Sequence, residues 1–471
     1  MGFFASRNAK ITVSDASLTT SAADTVASKP FVAKSWPVVM QVASGSQSQA
    51  QDYTLQARAN YDGQFTVRQN EVVIGENKPV KAGEMFTLPA TLKENNTFKI
   101  TFTPTSGKDR APVDQELTVS QVKSVSASTL YASPNGKAEA KGTLEAPMDL
   151  NTAIDLLPPG GKIVLAAGDY PKTDIPLTAS GLENGRKKLE SQGKAVIHGM
   201  LLDGHYWTLR GIEITDKSLR IQGSHNLIEN VVAYRNDDTG IQISSADKIG
   251  RPLWASYNRV VNAESYSNED PGKINADGFA VKMRVGEGNR LEGCYSHNNI
   301  DDGFELFNTI EDGANGVVVI ENSIARDNTS NGFKLGGEGQ PVAHEIRNSI
   351  AVGNHLDGFT DNFNPGKLVV VNNVAVDNQR FNFIFRPSPY GDASTQGVFS
   401  ENISLRSKTG KYDDAVVGNV DATNYFIENG KSVNKEGKEL RADDFQSLAL
   451  PQPLERNADG SFKTGDFLNK G

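Results

Sequence analysis

The sequence predicts an all-β chain, a right-handed parallel β-helix preceded by a small β-sandwich of the Ig or FnIII kind. Three observations carry this. First, asparagine recurs in two columns. One holds Asn230, Asn262, Asn322, Asn348, Asn372 and Asn402, with Glu292 as its exception, and the other holds Asn236, Asn268, Asn298, Asn328, Asn354 and Asn378. Members of the second column lie 32, 30, 30, 26 and 24 residues apart, the period of a solenoid coil. Stacked asparagine amides hydrogen-bond along a ladder, and Asn tolerates the left-handed bend of a coil corner. Second, NADGFAVKM (275–283), NNIDDGFEL (298–306) and TSNGFKL (329–335) align on Gly278, Gly303 and Gly332 as one corner of three coils. Third, residues 35–121 change to short alternating apolar runs broken by turn-formers. A leucine-rich repeat would need LxxLxL spacing, which is absent.

In chain order, residues 1–34 are rich in Ser, Thr and Ala and read as a tail or leading segment. Residues 35–125 read as the sandwich, an accessory module. Its turns are expected at Asp62–Gly63, Gly75–Asn77 and Gly107–Asp109. Residues 126–471 read as the β-helix domain. Near its start, Leu150, Ala153, Ile154 and Leu157 share a helical face that Pro158–Gly161 ends. A short helix here would close the open end of a stacked core. After Ser407 the repeat fades into a polar tail with apolar anchors at Phe445, Leu448 and Phe467.

The chemistry concentrates in the three aligned corners. The residue before the glycine is Asp277, then Asp302, then Asn331; two after it come Ala280, Glu305 and Lys334. Parallel neighbours repeat about every 4.8 Å, so Asp277, Asp301, Asp302 and Glu305 crowd one patch beside Lys334. Strand alternation puts Phe304, Leu306, Phe333 and Leu335 in the core and Glu305 and Lys334 outside. Four converging carboxylates repel unless a cation sits among them, and hard oxygen ligands without His or Cys favour Ca²⁺. Such an ion beside a lysine suits an acidic sugar polymer. The metal would acidify the C5 proton of a bound uronate, and a neutral Lys334 would remove it for β-elimination. Glu305 works against a neutral lysine unless the ion neutralises it. Lys282 and Arg386 fall in one outward column, with Phe307, Gly336 and Asn362 between them, and are expected to hold uronate carboxylates in neighbouring subsites. His297, His344 and His355 share no column and read as structural.

The bulk composition excludes other classes. A net charge of −9 and a pI near 5.4 argue against nucleic acid or an anionic membrane as partner. No run of apolar residues reaches membrane-spanning length, and MGFFAS lacks the basic start and apolar core of a signal peptide. The single cysteine, Cys294, falls in a column of Val and Ile and reads as a buried apolar thiol. A monomer is expected.

At these residues the chain resembles polysaccharide lyase family 9, pectate lyases built on a parallel β-helix. The resemblance runs from YASPNG (131–136) to DDFQSLALPQPLERNADGSF (443–462), and NGFKLGGEGQPVAH is its most specific match. It implies Ca²⁺ held by Asp277, Asp301 and Asp302, Lys334 as the base, an acidic polysaccharide as substrate, and a secreted or periplasmic location. Glu305 stands where the family has a fourth aspartate, which keeps the charge and adds a methylene. The sandwich lies outside the resemblance. Two rivals stay open: a β-helix hydrolase or C5-epimerase, with Asp301 and Asp302 as the hydrolase's acid and base, and a non-catalytic carbohydrate-binding protein.

Overall fold

The computed structural model describes residues 35–106, 110–122, 125–387, 396–407 and 411–470. The leading segment 1–34 and the turn expected at Gly107–Asp109 lie outside the described residues. Residues 40–121 form the expected sandwich. Asp52–Ala59 pairs with Met40–Val42 and Phe86–Thr91 in one sheet. Gly63–Gln69, Val72–Val80, Asn96–Pro104, Val113–Gln121 and Gln47–Ser48 make the other. Period-two alternation turns Phe65, Val67, Phe98, Ile100 and Phe102 inward against Leu55 and Ala57. One turn differs. The hairpin reverses at Asn70 and Glu71, with φ of 49° and 67°, and Gly75–Asn77 lies within the strand Val72–Val80. Gly75 sits at a register shift opposite Val67, so the glycine marks a bulge and not a turn.

The cap helix spans Leu150–Leu156, and the Asp149 side chain caps it by accepting from the Thr152 amide at 3.0 Å. Leu150, Ala153, Ile154 and Leu156 close the end of the core, and Lys162–Tyr170 begins the coils. From there three parallel stacks run the length of the solenoid. The first includes Leu227–Glu229, Arg259–Val261, Asn289–Glu292 and Val318–Glu321, and the second Val232–Asn236, Glu264–Tyr266, Tyr295–His297 and Ile324–Arg326. The third carries Ile241–Ile243, Phe279–Val281, Phe304–Glu305, Phe333–Lys334, Phe359–Thr360 and Phe383–Phe385. Behind the third stack, Phe279, Phe304, Phe333, Phe359 and Phe383 pile ring on ring at centroid spacings of 4.9, 4.6, 4.9 and 4.9 Å.

Both asparagine devices are present, with corrected members. Asn230, Asn262, Asn322, Asn348 and Asn372 all have φ between 51° and 53°. The exceptional coil places Gly293 (φ 63°) at this corner, and Glu401 (φ 58°) follows Asn372. Asn402 belongs to a neighbouring buried ladder, accepting from Asn373 at 3.0 Å and donating to Asn424 at 2.8 Å. The second column is a buried amide ladder that runs Asn268, Asn299, Asn328, Asn354, Asn378, with Nδ2 to Oδ1 distances of 2.7 to 3.0 Å. Asn299, not Asn298, supplies the rung; Asn298 sits at a left-handed corner with φ 55°. Cys294 is buried as expected, but its column neighbours are Ala263 and Ser323, and burial pushes its thiol up to about 12.

The C-terminal residues are docked. Phe426–Glu428, Lys431–Val433 and Glu439–Leu440 form a small antiparallel sheet at the last coil. Phe445, Leu448, Leu450, Phe462 and Phe467 then pack on Tyr295, Ile324, Val376 and Leu405 along the outside of the second stack. Among the described residues no helix is long and apolar enough to cross a membrane.

Candidate active site

The aligned glycines position the site by permitting close approach. A Cβ on Gly303 would lie 2.6 Å from the Gly332 carbonyl oxygen, and one on Gly332 would lie 2.7 Å from that of Gly358. The corners therefore stack tightly, and the register pairs Ala280 with Glu305 and Glu305 with Lys334. Asp277, Asp302 and Glu305 come together with one carboxylate oxygen from each within 4.8 Å of the others. Both aspartates are fully buried and Glu305 is 5% exposed. Asp301, one residue earlier on the turn, is half-buried and lies outside this group.

Two ammoniums enter the cluster. Lys334 Nζ lies 2.5 Å from Glu305 Oε1 and 3.1 Å from Asp302 Oδ2. Lys282 Nζ lies 2.8 Å from Asp277 Oδ2 and makes a second, shorter contact with Glu305 Oε2. The structure thus puts Lys282 inside the acidic cluster, where the outward column had suggested a free subsite cation. Arg386 is also engaged: its guanidinium pairs with the buried Asp361 at 3.0 Å and lies 4.0 Å from the Phe363 ring centroid. It keeps partial exposure.

Two polar neighbours, Asn331 and Thr239, hold the carboxylates in place. Asn331 donates to Asp302 Oδ1 through its backbone amide (2.8 Å) and its side chain (2.7 Å). Thr239 donates its hydroxyl to Asp277 Oδ2 at 3.2 Å, and the Asp302 amide donates to Asp277 Oδ1 at 3.2 Å. Asn331 was visible as the third member of the Asp277–Asp302 column. Thr239 comes from a coil 38 residues earlier, and no sequence signal pointed to it.

The electrostatics follow from burial and crowding. Burial, then the Glu305 charge, pushes the Asp277 carboxyl well above the usual range. Burial and neighbouring Asp302 raise Asp301 to about 7. For Glu305, burial is outweighed by Lys334 and Lys282, which hold it down at about 2. Burial alone would lower Lys334, but Asp302 and Glu305 overcome it and keep the ammonium above the ordinary lysine range. Lys282 is raised in the same way by Asp277 and Glu305. A neutral Lys334 is therefore not what this arrangement favours while those carboxylates face it.

The residues fit a hard divalent cation. The donors are all carboxylate oxygens, and Asp302 Oδ2 is buried without a hydrogen-bond partner despite the nearby ammonium. Fully ionised, the four carboxylates against two lysines leave a charge of −2.

Comparison with known proteins gives the family. A sequence model of the Pel9A-like right-handed β-helix region matches residues 130–401. The chain belongs to this family, polysaccharide lyase family 9. A model of the pectate disaccharide-lyase central Ig-like domain matches residues 41–122, so the sandwich too has relatives within family 9 proteins. Pectate disaccharide-lyase of Dickeya chrysanthemi is 56% identical over 429 residues, covering 91% of this chain and 57% of that protein. Pectate lyase L of Thermoclostridium stercorarium is 36% identical, covering 94% of this chain and 38% of that protein. The chain thus spans about half the length of these two relatives. The crystal structure of pectate lyase Pel9A superposes with a TM-score of 0.61 at 30% identity, over 73% of this chain and 89% of Pel9A.

Proposed function

We propose that the chain cleaves a uronate polysaccharide, pectate, by β-elimination in a calcium-dependent reaction, with Lys334 as the base. The observation that carries this reading is the contact of Lys334 with Asp302 and Glu305, two members of a buried three-carboxylate group. The names of the relatives, pectate disaccharide-lyase and pectate lyase, support the substrate class. Asp277, Asp302 and Glu305 would hold Ca²⁺, with Asp301 at the edge of the set. The bound ion would supply Lewis-acid polarisation of the substrate carboxylate, which acidifies the adjoining C5 proton.

The chain's own residues do the rest. Asp302 and Glu305 are the causes of the raised Lys334 ammonium. Once their charge is engaged elsewhere, burial remains as the dominant influence and favours the neutral amine. Lys334 Nζ then takes the C5 proton, the pair of the broken C5–H bond forms the C4–C5 double bond, and the C4–oxygen bond breaks, the departing sugar oxygen taking a proton from solvent. Arg386, held rigid by Asp361 and Phe363, offers a guanidinium for a neighbouring uronate. Hydrolysis would leave Lys334 and Lys282 without a role. A polymer substrate suits a protein working outside the cytoplasm, secreted or periplasmic, and a monomer suits a site whose carboxylates and lysines all come from one chain.

The test is the near-ultraviolet absorbance of a polygalacturonate solution. A rise that requires calcium and stops with a chelator is expected. New reducing ends without absorbance would overturn the reading in favour of hydrolysis.

A further inference from the structure

A second cluster of buried polar groups lies away from the catalytic sheet, at the seam where the sandwich meets the β-helix. Gln56 Nε2 donates to the Gly181 carbonyl at 3.0 Å, and Arg58 NH2 donates to the Leu253 carbonyl at 3.1 Å. Arg58 lines a cavity of about 670 Å³ whose wall also includes His205, Tyr206, His225 and Tyr257.

Arg58 is 5% exposed, and among the described residues no carboxylate lies within ion-pair distance of it. Its Nε is taken by Gln41 at 2.8 Å, and the groups it does contact are neutral. Desolvation lowers it to about 10, as expected for a guanidinium buried without a counter-charge. Buried charges are ordinarily paired. His205 next to Arg58 carries an unsatisfied donor. Its Nδ1 accepts from the Ser224 amide at 2.8 Å, so the neutral ring carries its proton on Nε2, which has no partner. Burial, then Arg58, keeps that ring neutral. A guanidinium without a counter-charge and an imidazole with an unpartnered N–H thus belong to residues that line one cavity.

Beside them Tyr206, His225 and Tyr257 stack at 4.8 and 5.0 Å between centroids. All three occupy left-handed backbone positions, with φ of 58°, 61° and 56°. Tyr257 is 55% exposed and offers an amphipathic edge at the mouth. Glu84, Glu183 and Glu287 also reach the rim, where they are solvated, and Arg251 pairs with Glu287 at 3.2 Å. The floor is thus cationic and donor-rich, and the mouth is aromatic and polar.

We propose that this seam binds a carboxylate-bearing sugar, a single uronate residue, at a site built from other residues than the acidic cluster. The carboxylate would supply the Arg58 guanidinium with the counter-charge it lacks. The ring would lie along Tyr257 and His225, the mixture of apolar faces and few polar groups that small-ligand sites use. The choice of uronate over other carboxylates rests on the function proposed above; the anion site itself does not. Such a site would let the sandwich retain a polymer end or product while the coils act on the chain.

The test is calorimetric titration of the whole chain with galacturonate, with a chelator present to silence calcium-dependent binding. Acetate and galactose serve as controls, and the Lys334→Ala variant as background. Binding should persist in Lys334→Ala and weaken at least about tenfold in Arg58→Met, as expected for loss of a charged hydrogen-bond donor. Tyr257→Ala, on an exposed side chain that folding does not need, should weaken it several-fold and decides the matter if Arg58→Met does not fold. Equal binding by wild type and the variants, no binding by wild type, or acetate binding as tightly as galacturonate would each overturn the proposal. Failure of the lyase reading looks different: Arg58-dependent binding would remain, with no absorbance rise on polygalacturonate.

Discussion

The position of Lys282 gives the sharpest prediction. Its ammonium touches Asp277 and Glu305, two of the three carboxylates that group within 4.8 Å. A cation bound by that group must share those oxygens with Lys282 or displace it. At an effective dielectric near 20, two unit charges about 4 Å apart interact by roughly 4 kcal/mol, and a divalent ion feels more. Even if relaxation of the side chain removes most of this repulsion, about 1.4 kcal/mol remains a cautious expectation, equal to tenfold in affinity. Lys282→Met should therefore bind calcium at least about tenfold more tightly than wild type, measured by calorimetry at pH 8. The same substitution should destabilise the chelated protein by roughly 1–3 kcal/mol, because a buried carboxylate loses a charged partner, and calcium should restore the loss. A role of Lys282 confined to gripping substrate predicts unchanged calcium affinity and a raised KM. A calcium titration that is unchanged or weaker in Lys282→Met would refute the competition argument.

The other predictions are simpler. Lys334→Ala should fold and bind calcium but lose turnover by about 10²–10⁴-fold or more; a substantial residual rate at alkaline pH would remove Lys334 as the base. Asp301 is raised above its ordinary value of 3.8 to about 7 in the folded chain, so its contribution to stability is full below pH 4 and is lost as pH rises through 7. The chelated protein should therefore lose stability over that window by thermal melting, and Asp301→Asn should flatten the profile; an unchanged profile would contradict the assignment. Phe333 is fully buried between Phe304 and Phe359. Phe333→Ala should cost about 3–5 kcal/mol in denaturant unfolding, and a cost below 1 would mean the ring stack carries little stability.

The fold was readable because a solenoid writes its register into the sequence. Asn230, Asn262, Asn322, Asn348 and Asn372 each occupy the same left-handed corner, and one residue type satisfies that corner in coil after coil. The errors share a cause. Asn298 and Asn299 are adjacent and identical, so spacing could not say which enters the ladder; only the inward direction of the side chain decides, and that selects Asn299. Gly75–Asn77 has the composition of a turn, yet pairing with Val67 keeps it within a strand. At the site, alternation put Glu305 and Lys334 side by side and off the apolar core because both lie on regular strands, although Glu305 is buried within the acidic cluster. Lys282 follows its strand, and its flexible stem carries the ammonium back to the cluster, which a column of Cα positions does not describe.

On the mechanism proposed above, the same cluster links catalysis to protonation. Lys282 and Lys334 offset Glu305 and Asp302, while Asp277 and Asp301 are pushed toward their neutral forms by burial. Without a metal the group can therefore approach neutrality, which is how so many carboxylates remain buried together. A divalent cation reverses the preference, because ionised Asp277 and Asp301 bring the sum to −2. Calcium binding must then release protons below about pH 7, and affinity must fall as pH falls. The lysine that could act as a base and the carboxylates that could hold the ion are consequently one titrating unit. In the proposed mechanism its working form needs the carboxylates deprotonated and Lys334 neutral, and acid disfavours both.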